Sequence, residues 1–218
     1  MWDWLNNWEI PQIIWVQENM SSPFFDVFWY WITRLAEHRF VLPAMLVIFA
    51  IFAIKKMPLH GLRHSMRIGF IWGSAGFFSW LIKISTNRPR PHLVSEEINV
   101  LYPPVSSAFT SGHTALGAAI AILLCVAIWK LKIHKVFQIM LCALAILVFA
   151  LGVGFSRIYL GVHYPIDIIA SLITAVPFFL LSSWLFEKAV NVITKQKSVE
   201  VDALNTEEEL ATLEHSGK

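Results

Sequence analysis

Residues 136–156, VFQIMLCALAILVFALGVGFS, form a run of 21 residues without an Asp, Glu, Lys or Arg side chain. A helix that crosses a bilayer needs about 20 predominantly apolar residues. This run therefore predicts a transmembrane helix. Two further uncharged runs, at 99–129 and 168–186, are also long enough. Only the second half of the first of these runs is predicted to be helical. Two shorter runs, 40–54 and 68–82, reach the required length by extending past a basic residue with an apolar stem.

The composition agrees with a membrane protein. The 218 residues are 56% hydrophobic and only 15% charged, whereas an average soluble domain carries about 25% charge. The formal net charge of +2 is too small for a nucleic-acid-binding surface. We predict an all-α fold, an integral membrane helical bundle with five transmembrane helices plus an N-terminal interfacial helix. The five predicted spans lie near 38–56, 66–86, 111–131, 135–156 and 166–187.

The distribution of charged residues divides the chain into three predicted segments. The longest uncharged pieces of residues 1–37 have only eight and seven residues, and the tryptophans there are mixed with acidic residues, which is typical of an amphipathic interfacial segment. A sixth, polar-interrupted span is the alternative for this segment. Residues 38–190 form the predicted transmembrane domain, which carries the polar clusters described below. Residues 191–218 are rich in acidic side chains and form a predicted cytoplasmic tail.

Basic residues predict how the chain is oriented. The short loops 55–67 and 130–135 hold four and three Lys or Arg residues and no acid. The positive-inside rule places both loops in the cytoplasm. Loops 87–110 and 157–165 then face outward, and the C-terminus returns to the cytoplasm. We therefore predict a multi-pass plasma-membrane protein with its polar site on the outer face.

Three polar clusters lie at the predicted outer ends of the spans. The first contains Lys83, Arg88 and Arg90, which together can bind an anion because Lys supplies a point charge and Arg a planar fork. A basic patch that anchors the helix in the membrane is the alternative. The second cluster contains Ser111 and Gly112, a predicted helix N-cap and a place where a ligand can approach the backbone closely.

The same two segments contain candidate acid–base groups. His113 follows Gly112 in the first helical turn, where it can protonate a leaving oxygen. A simple capping turn is the alternative. The third cluster contains Arg157, His163 and Asp167. A carboxylate four residues after a histidine can orient its ring and free the other nitrogen as a nucleophile, unless Asp167 only caps the last helix. The Cys and His spacing gives no metal site, so Lys and Arg must stabilise the charge.

Taken together, these residues resemble the type 2 phosphatidic acid phosphatase (PAP2) family of lipid phosphate phosphatases. The family motifs are K-x6-R-P, P-S-G-H and S-R-x5-H-x3-D. The matching positions are Lys83, Arg90 and Pro91 in the first motif, Ser111, Gly112 and His113 in the second, and Ser156, Arg157, His163 and Asp167 in the third. Thr110 departs from the pattern, because the family usually has Pro there. The pair Arg88-Pro89 repeats the Arg-Pro motif two residues early.

The resemblance implies a role for each matching residue. His163 is the expected nucleophile, Asp167 its orienting partner and His113 the general acid. The expected phosphate-binding group consists of Lys83, Arg90, Ser111, Gly112 and Arg157, with Arg88 and Ser156 as second-tier candidates. The family chemistry implies neither a metal nor another cofactor.

The predicted function is hydrolysis of a lipid phosphate or diphosphate through a phosphohistidine. Undecaprenyl diphosphate, phosphatidylglycerol phosphate and phosphatidic acid are the expected substrate classes, and the outward site favours the first. A lipid phosphotransferase that uses the same site is the first alternative. A non-enzymatic lipid binder or transporter is a remote one, because the charges lie at span ends rather than at the midplane. The expected partners are the substrate lipid and the bilayer, and no nucleic acid.

Overall fold

A computed structural model describes residues 2–101 and 106–216, and within these ranges the chain is helical without a β-strand. This confirms the predicted all-α class. The helices are α1 (Asp3–Met20), α2 (Pro23–Arg34), α3 (His38–Ile54), α4 (Pro58–Thr86), α5 (Gly112–Trp129), α6 (Lys135–Ala145), α7 (Val153–Tyr159) and α8 (Pro165–Ser216). A π-helical segment, Ile146–Gly152, joins α6 to α7, and a short 3-10 turn, Pro91–Leu93, follows α4.

Four segments of the described chain are long and apolar enough to cross a membrane. They are Gly61–Leu93, Gly112–Trp129, Lys135–Tyr159 and Pro165–Gln196, and each overlaps one of the predicted spans. The first predicted span, 38–56, corresponds to α3, whose apolar part His38–Ile51 is shorter than 18 residues. The structure thus supports a membrane-embedded helical bundle with four spans by length, and a fifth span through α3 stays a prediction.

The N-terminal segment folds as two helices, neither of which is among those four spans. Helix α1 buries Asn6, Glu9 and Ile13, which lie on one face at helical spacing. Trp4 and Trp8 are exposed. Trp4 and Trp8 therefore face outward, as expected of an interfacial helix, but the polar pair faces the protein. That inward orientation of Asn6 and Glu9 was not predicted, and it matters for the site described below.

Helix α5 packs very closely against the π-helical segment. A Cβ atom placed on Gly117 would lie 2.1 Å from the carbonyl oxygen of Phe149. Ala118 and Ala121 on the same helix are buried, together with Ala150 of the π-helical segment. Small residues permit this approach of two helix backbones in a membrane. The small residues of α5 therefore allow its backbone to lie directly against the π-helical segment.

The chain divides into two compact units, Met1–Leu180 and Leu181–Lys218. Helix α8 crosses this division, which falls before the predicted tail boundary at residue 190. Every candidate site residue lies in the first unit. The second unit is helical through Ser216.

Candidate active site

The predicted site residues come from three places in the fold that the helices bring together. Lys83 lies in the last turn of α4, His113 in the first turn of α5, and His163 in the turn between α7 and α8. Asn87, with a φ of 42°, ends α4, and the loop that follows carries Arg88 and Arg90. All three sequence motifs therefore meet at one end of the bundle.

The imidazole of His163 lies between a cation and a carboxylate. Arg90 Nη1 is 2.8 Å from His163 Nε2, and His163 Nδ1 is 3.2 Å from Asp167 Oδ2. A guanidinium has only donors, so Nε2 must accept and must carry a lone pair. The proton is then on Nδ1, which donates to Asp167. This assignment makes Nε2 the nitrogen available for nucleophilic attack.

The surroundings of His163 keep the ring neutral. The side chain is 2% exposed, and burial lowers the pKa of His163 well below its ordinary value of 6.5. The positive charges of Arg90, Lys83 and Arg157, with a smaller contribution from His113, lower this pKa further. A neutral imidazole is the form that can act as a nucleophile.

The position of His163 is set by a tight turn after α7. Val162 and His163 donate their backbone N–H groups to the carbonyl oxygen of Arg157, at 3.1 and 3.2 Å. Gly161 has a φ of +70°, a conformation that glycine adopts without a steric cost. A Cβ at this position would also lie 2.5 Å from the carbonyl oxygen of Asn99. The turn therefore requires glycine on two grounds.

Lys83 and Arg90 are held by backbone oxygens of the segment before α5 and of the turn after α7. Lys83 Nζ donates to the carbonyl oxygens of Ser107 and Ala108, at 2.7 and 3.2 Å. Arg90 Nε donates to the carbonyl oxygen of Ser106 at 2.6 Å, and Nη1 donates to that of Val162 at 2.5 Å. Both cations are thus fixed by backbone oxygens beside the imidazole, where they can stabilise negative charge on a phosphoryl group.

The first turn of α5 is capped as predicted. Ser111 Oγ accepts from the backbone N–H of Thr114 at 3.4 Å, and the N–H of Ser111 points to the carbonyl oxygen of Asp167 at 3.4 Å. The helix N-terminus provides N–H groups that favour an anion. Thr110, which replaces the usual proline, forms a 3.2 Å hydroxyl contact with Ser79 Oγ. That contact ties the turn to α4, so a hydrogen bond replaces the restraint of a proline ring.

His113 faces a carboxylate that the sequence did not identify as part of the site. His113 Nε2 is 3.6 Å from Glu37 Oε1, and the two side chains are 30% and 18% exposed. His113 is therefore more accessible than His163. The two side chains form an ion pair only when the imidazole is protonated, which is the form that a general acid needs.

Arg157 and the two second-tier candidates have other partners. Arg157 Nη1 donates to Thr33 Oγ1 at 2.9 Å, and phosphate binding by Arg157 stays a prediction. Ser156 Oγ donates to the carbonyl oxygen of Val153 at 2.6 Å within its own helix. Arg88 is fully buried and bonds to carboxylate and amide oxygens. The contacts of Ser156 and Arg88 thus differ from those predicted for phosphate ligands.

Four of the contacting residues come from the N-terminal segment, which sequence analysis treated as an interfacial addition. They are Asn6, Glu9, Thr33 and Glu37. For the two residues of α1, the sequence signal that could have identified them was the spacing of Asn6, Glu9 and Ile13 along one helical face. Across residues 2–101 and 106–216, no group of three or more His, Cys, Asp or Glu side chains is arranged to hold a metal ion.

A helical membrane domain that holds a neutral imidazole beside fixed Lys and Arg side chains is the arrangement expected of an enzyme that acts on phosphate groups. The profile of the PAP2 superfamily matches residues 64–191. The chain belongs to this superfamily, which confirms the resemblance drawn from the three motifs, and it is an enzyme of the PAP2 phosphatase type.

Two curated relatives have names that describe lipid phosphatases. The undecaprenyl-diphosphatase BcrC of Bacillus subtilis is 28% identical, and the match covers 74% of this chain and 91% of that protein. The phosphatidylglycerophosphatase B of Escherichia coli K12 is 25% identical, and the match covers 88% of this chain and 84% of that protein.

Two solved structures have the same fold. One is the transmembrane PAP2-type phosphatidylglycerolphosphate phosphatase of Bacillus subtilis, with a TM-score of 0.66, 23% identity, and coverage of 82% of this chain and 85% of that one. The other is LpxE of Aquifex aeolicus, with a TM-score of 0.61, 24% identity, and coverage of 80% and 93%. Both support the fold of the domain.

Proposed function

We propose that this enzyme hydrolyses the phosphate or diphosphate headgroup of a membrane lipid through a phosphohistidine on His163, without a metal. The observation that carries the proposal is the placement of His163 between Arg90 and Asp167. That placement leaves a lone pair on Nε2 and a proton on Nδ1. Among candidate substrates we favour undecaprenyl diphosphate, with phosphatidylglycerol phosphate and phosphatidic acid as the other members of the class.

In the first step, His163 Nε2 attacks phosphorus. The P–N bond forms while the bond between phosphorus and the leaving oxygen breaks, and protonated His113 gives its proton to that oxygen. The leaving group is a lipid alcohol from a monophosphate, or a lipid monophosphate from a diphosphate. Asp167 accepts from Nδ1–H throughout and stabilises the positive charge that the ring gains. Lys83 and Arg90 stabilise the phosphoryl oxygens.

In the second step, water attacks the phosphoryl group. Neutral His113 takes a proton from the water as the new P–O bond forms and the P–N bond breaks. Inorganic phosphate leaves, His163 returns to its neutral form, and His113 is protonated again. Arg90 donates to the same nitrogen that attacks, so phosphoryl oxygens must take over this hydrogen bond while the P–N bond exists.

The proposed substrate and the proposed orientation in the membrane rest on two separate observations. The relatives named above act, by their names, on undecaprenyl diphosphate or phosphatidylglycerol phosphate. The basic loops 55–67 and 130–135 favour a cytoplasmic position for the opposite end of the bundle. We therefore propose a plasma-membrane enzyme with its site on the outer face and a cytoplasmic C-terminus. Reporters fused to the C-terminus and inserted in loop 130–135 should both be active on the cytoplasmic side.

The test is phosphate release by detergent-purified protein from the three lipids and from 4-nitrophenyl phosphate, with and without EDTA. We expect EDTA-resistant turnover of at least one lipid, and loss of that turnover in His163→Ala but not in His38→Gln, which changes an exposed histidine. Rapid acid-free quenching with 32P-labelled lipid should trap base-stable label on the wild type only. Turnover by His163→Ala at the wild-type rate would overturn the mechanism. Label that appears on an acceptor lipid would identify a phosphotransferase instead.

A further inference from the structure

Arg88 occupies a fully buried position behind the site, where its two terminal nitrogens bind three side chains. Nη1 donates to Asp167 Oδ1 at 2.8 Å. Nη2 donates to Asn6 Oδ1 at 2.8 Å and to Glu9 Oε2 at 2.5 Å. The guanidinium also lies over the ring of Tyr164, 3.7 Å from its centroid. These contacts use both ends of the guanidinium fork, and all of them are within the protein.

This arrangement links the N-terminal helix to the catalytic pair. Glu9 and Asp167 both have fully buried side chains, and Arg88 is the cation between them. The second oxygen of each carboxylate fixes the segment that carries His163. Glu9 Oε1 accepts from the backbone N–H of Ile166 at 2.7 Å, and Asp167 Oδ2 is bound by His163 Nδ1. A substitution at Glu9 can therefore alter the position of the His163 imidazole through Arg88 and Asp167.

The orientation of the Asp167 carboxylate is set by its hydrogen-bond partners. Its Oδ2 is already shared between His163 Nδ1 and the backbone N–H of Tyr164, at 3.2 and 3.1 Å. Arg88 fixes the other oxygen and so determines the plane of the carboxylate. A buried carboxylate without its cation would be strongly disfavoured as an anion, and a neutral Asp167 could not stabilise charge on the His163 ring.

We propose that Arg88, held by Glu9 and Asn6 of α1, is a positioning residue that keeps Asp167 ionised and aligned with His163. The proposal rests on the function proposed above. It makes α1 a required part of the site and gives Arg88 a role different from that of Arg90. Arg90 touches the nucleophilic nitrogen, whereas Arg88 acts on the opposite nitrogen through Asp167.

The experiment compares Arg88→Gln, Arg88→Lys and Glu9→Gln with wild type on the lipid that is turned over. We expect Arg88→Gln to lower kcat about 100-fold, since small misplacements of reacting groups cost this much. Its KM, and the inhibition constant of inorganic phosphate, should stay within about twofold, because Arg88 does not bind phosphate. Arg88→Lys keeps the charge without the fork and should retain an intermediate kcat.

The Glu9 variant tests the link through α1. The amide of Glu9→Gln places a donor or a weaker acceptor opposite the guanidinium, and kcat should fall about tenfold. The double variant Glu9→Gln/Arg88→Gln should be no slower than Arg88→Gln alone, because the two residues act as one unit. Glu18→Gln is the matched control, since Glu18 is an exposed carboxylate on the same helix. Its kcat should equal that of wild type.

Folding is monitored by size exclusion and thermal unfolding, so that each kcat refers to folded protein. If Arg88→Gln does not fold, Arg88→Lys and Glu9→Gln decide the matter. An increase of KM and of the phosphate inhibition constant with kcat retained would overturn the proposal and make Arg88 a phosphate ligand. Full kcat in both remaining variants would also overturn it. His163→Ala distinguishes a failure of the proposed function from a failure of this inference. If His163→Ala stays active, the proposed function fails. If His163→Ala is inactive while the Arg88 variants keep the wild-type kcat, only the inference about Arg88 fails.

Discussion

Arg90 donates a hydrogen bond of 2.8 Å to Nε2 of His163, while Asp167 lies 3.2 Å from the opposite nitrogen of the same ring. One imidazole thus touches the cation that would bind the phosphoryl group and the carboxylate that orients the ring. This relationship assigns the tautomer of His163. Arg90 contacts this ring directly, whereas Arg88 acts on it through Asp167, so we expect variants of the two arginines to differ in their kinetics.

Arg90→Lys should impair both binding and chemistry. A lysine supplies one compact charge in place of the fork that now reaches Ser106, Val162 and His163. We expect kcat/KM to fall about 100-fold, with KM raised and kcat lowered. Steady-state kinetics on the preferred lipid measure this, with Arg39→Lys as the exposed arginine control. Equal kinetics in the two variants would contradict a role of Arg90 in the site.

Protein stability should depend on pH through His163. Its folded-state pKa is lowered below 6.5, so the unfolded chain takes up a proton at a higher pH than the folded chain does. The stabilising contribution is present above pH 6.5 and is lost as pH falls below that value. The apparent Tm in detergent should therefore fall more steeply between about pH 6.5 and 5 for wild type than for His163→Gln. His38→Gln should keep the wild-type slope, and a slope equal in all three proteins would argue against a buried neutral His163.

Glu37→Gln should weaken general acid catalysis. The carboxylate lies 3.6 Å from His113 Nε2 and can pair with the imidazole when it carries the proton that the acid step transfers. We expect kcat on a lipid monophosphate to fall about tenfold, while hydrolysis of 4-nitrophenyl phosphate changes less than about twofold, because nitrophenolate leaves without a proton. His113→Gln should show the same substrate dependence with a larger loss. A uniform decrease on both substrates would place Glu37 outside the acid step.

The contact between Ser79 and Thr110 should contribute to stability. Their hydroxyl oxygens are 3.2 Å apart and both side chains are buried. Ser79→Ala or Thr110→Val alone leaves one buried hydroxyl unpaired and should cost about 1–3 kcal/mol. The double variant removes both hydroxyls and should be less destabilised than the two single effects added together. Thermal unfolding of the four proteins gives the coupling, and strict additivity would contradict it.

Gly117→Ala should destabilise the bundle. The added Cβ would lie 2.1 Å from the carbonyl oxygen of Phe149, so the backbones of α5 and the π-helical segment must separate. We expect a loss of about 1–3 kcal/mol. Gly73→Ala is the matched control, because a Cβ there has no atom within 4 Å and alanine favours the helix by up to about 1 kcal/mol. A stability of Gly117→Ala at or above that of Gly73→Ala would contradict the packing.

Local sequence was sufficient for four of the five predicted spans and for the three motifs that meet at the site. The uncharged runs at 136–156 and 168–186 predicted segments that are helical in the structure. The three gapped motifs predicted residues that meet at one end of the bundle. These predictions succeed because bilayer thickness sets helix length and because motif residues occupy fixed positions at helix ends.

The sequence by itself determined that this protein is a helical membrane enzyme of the PAP2 type, since length, apolarity and spacing are local properties that survive any packing. Only the tertiary structure decided what each arginine does. Arg88 and Arg90 are two residues apart and chemically identical, yet Arg88 binds Glu9 and Asp167 whereas Arg90 binds His163. Glu9 and Arg88 are separated by 79 positions, and a contact of that range depends on how the helices pack around a buried charge.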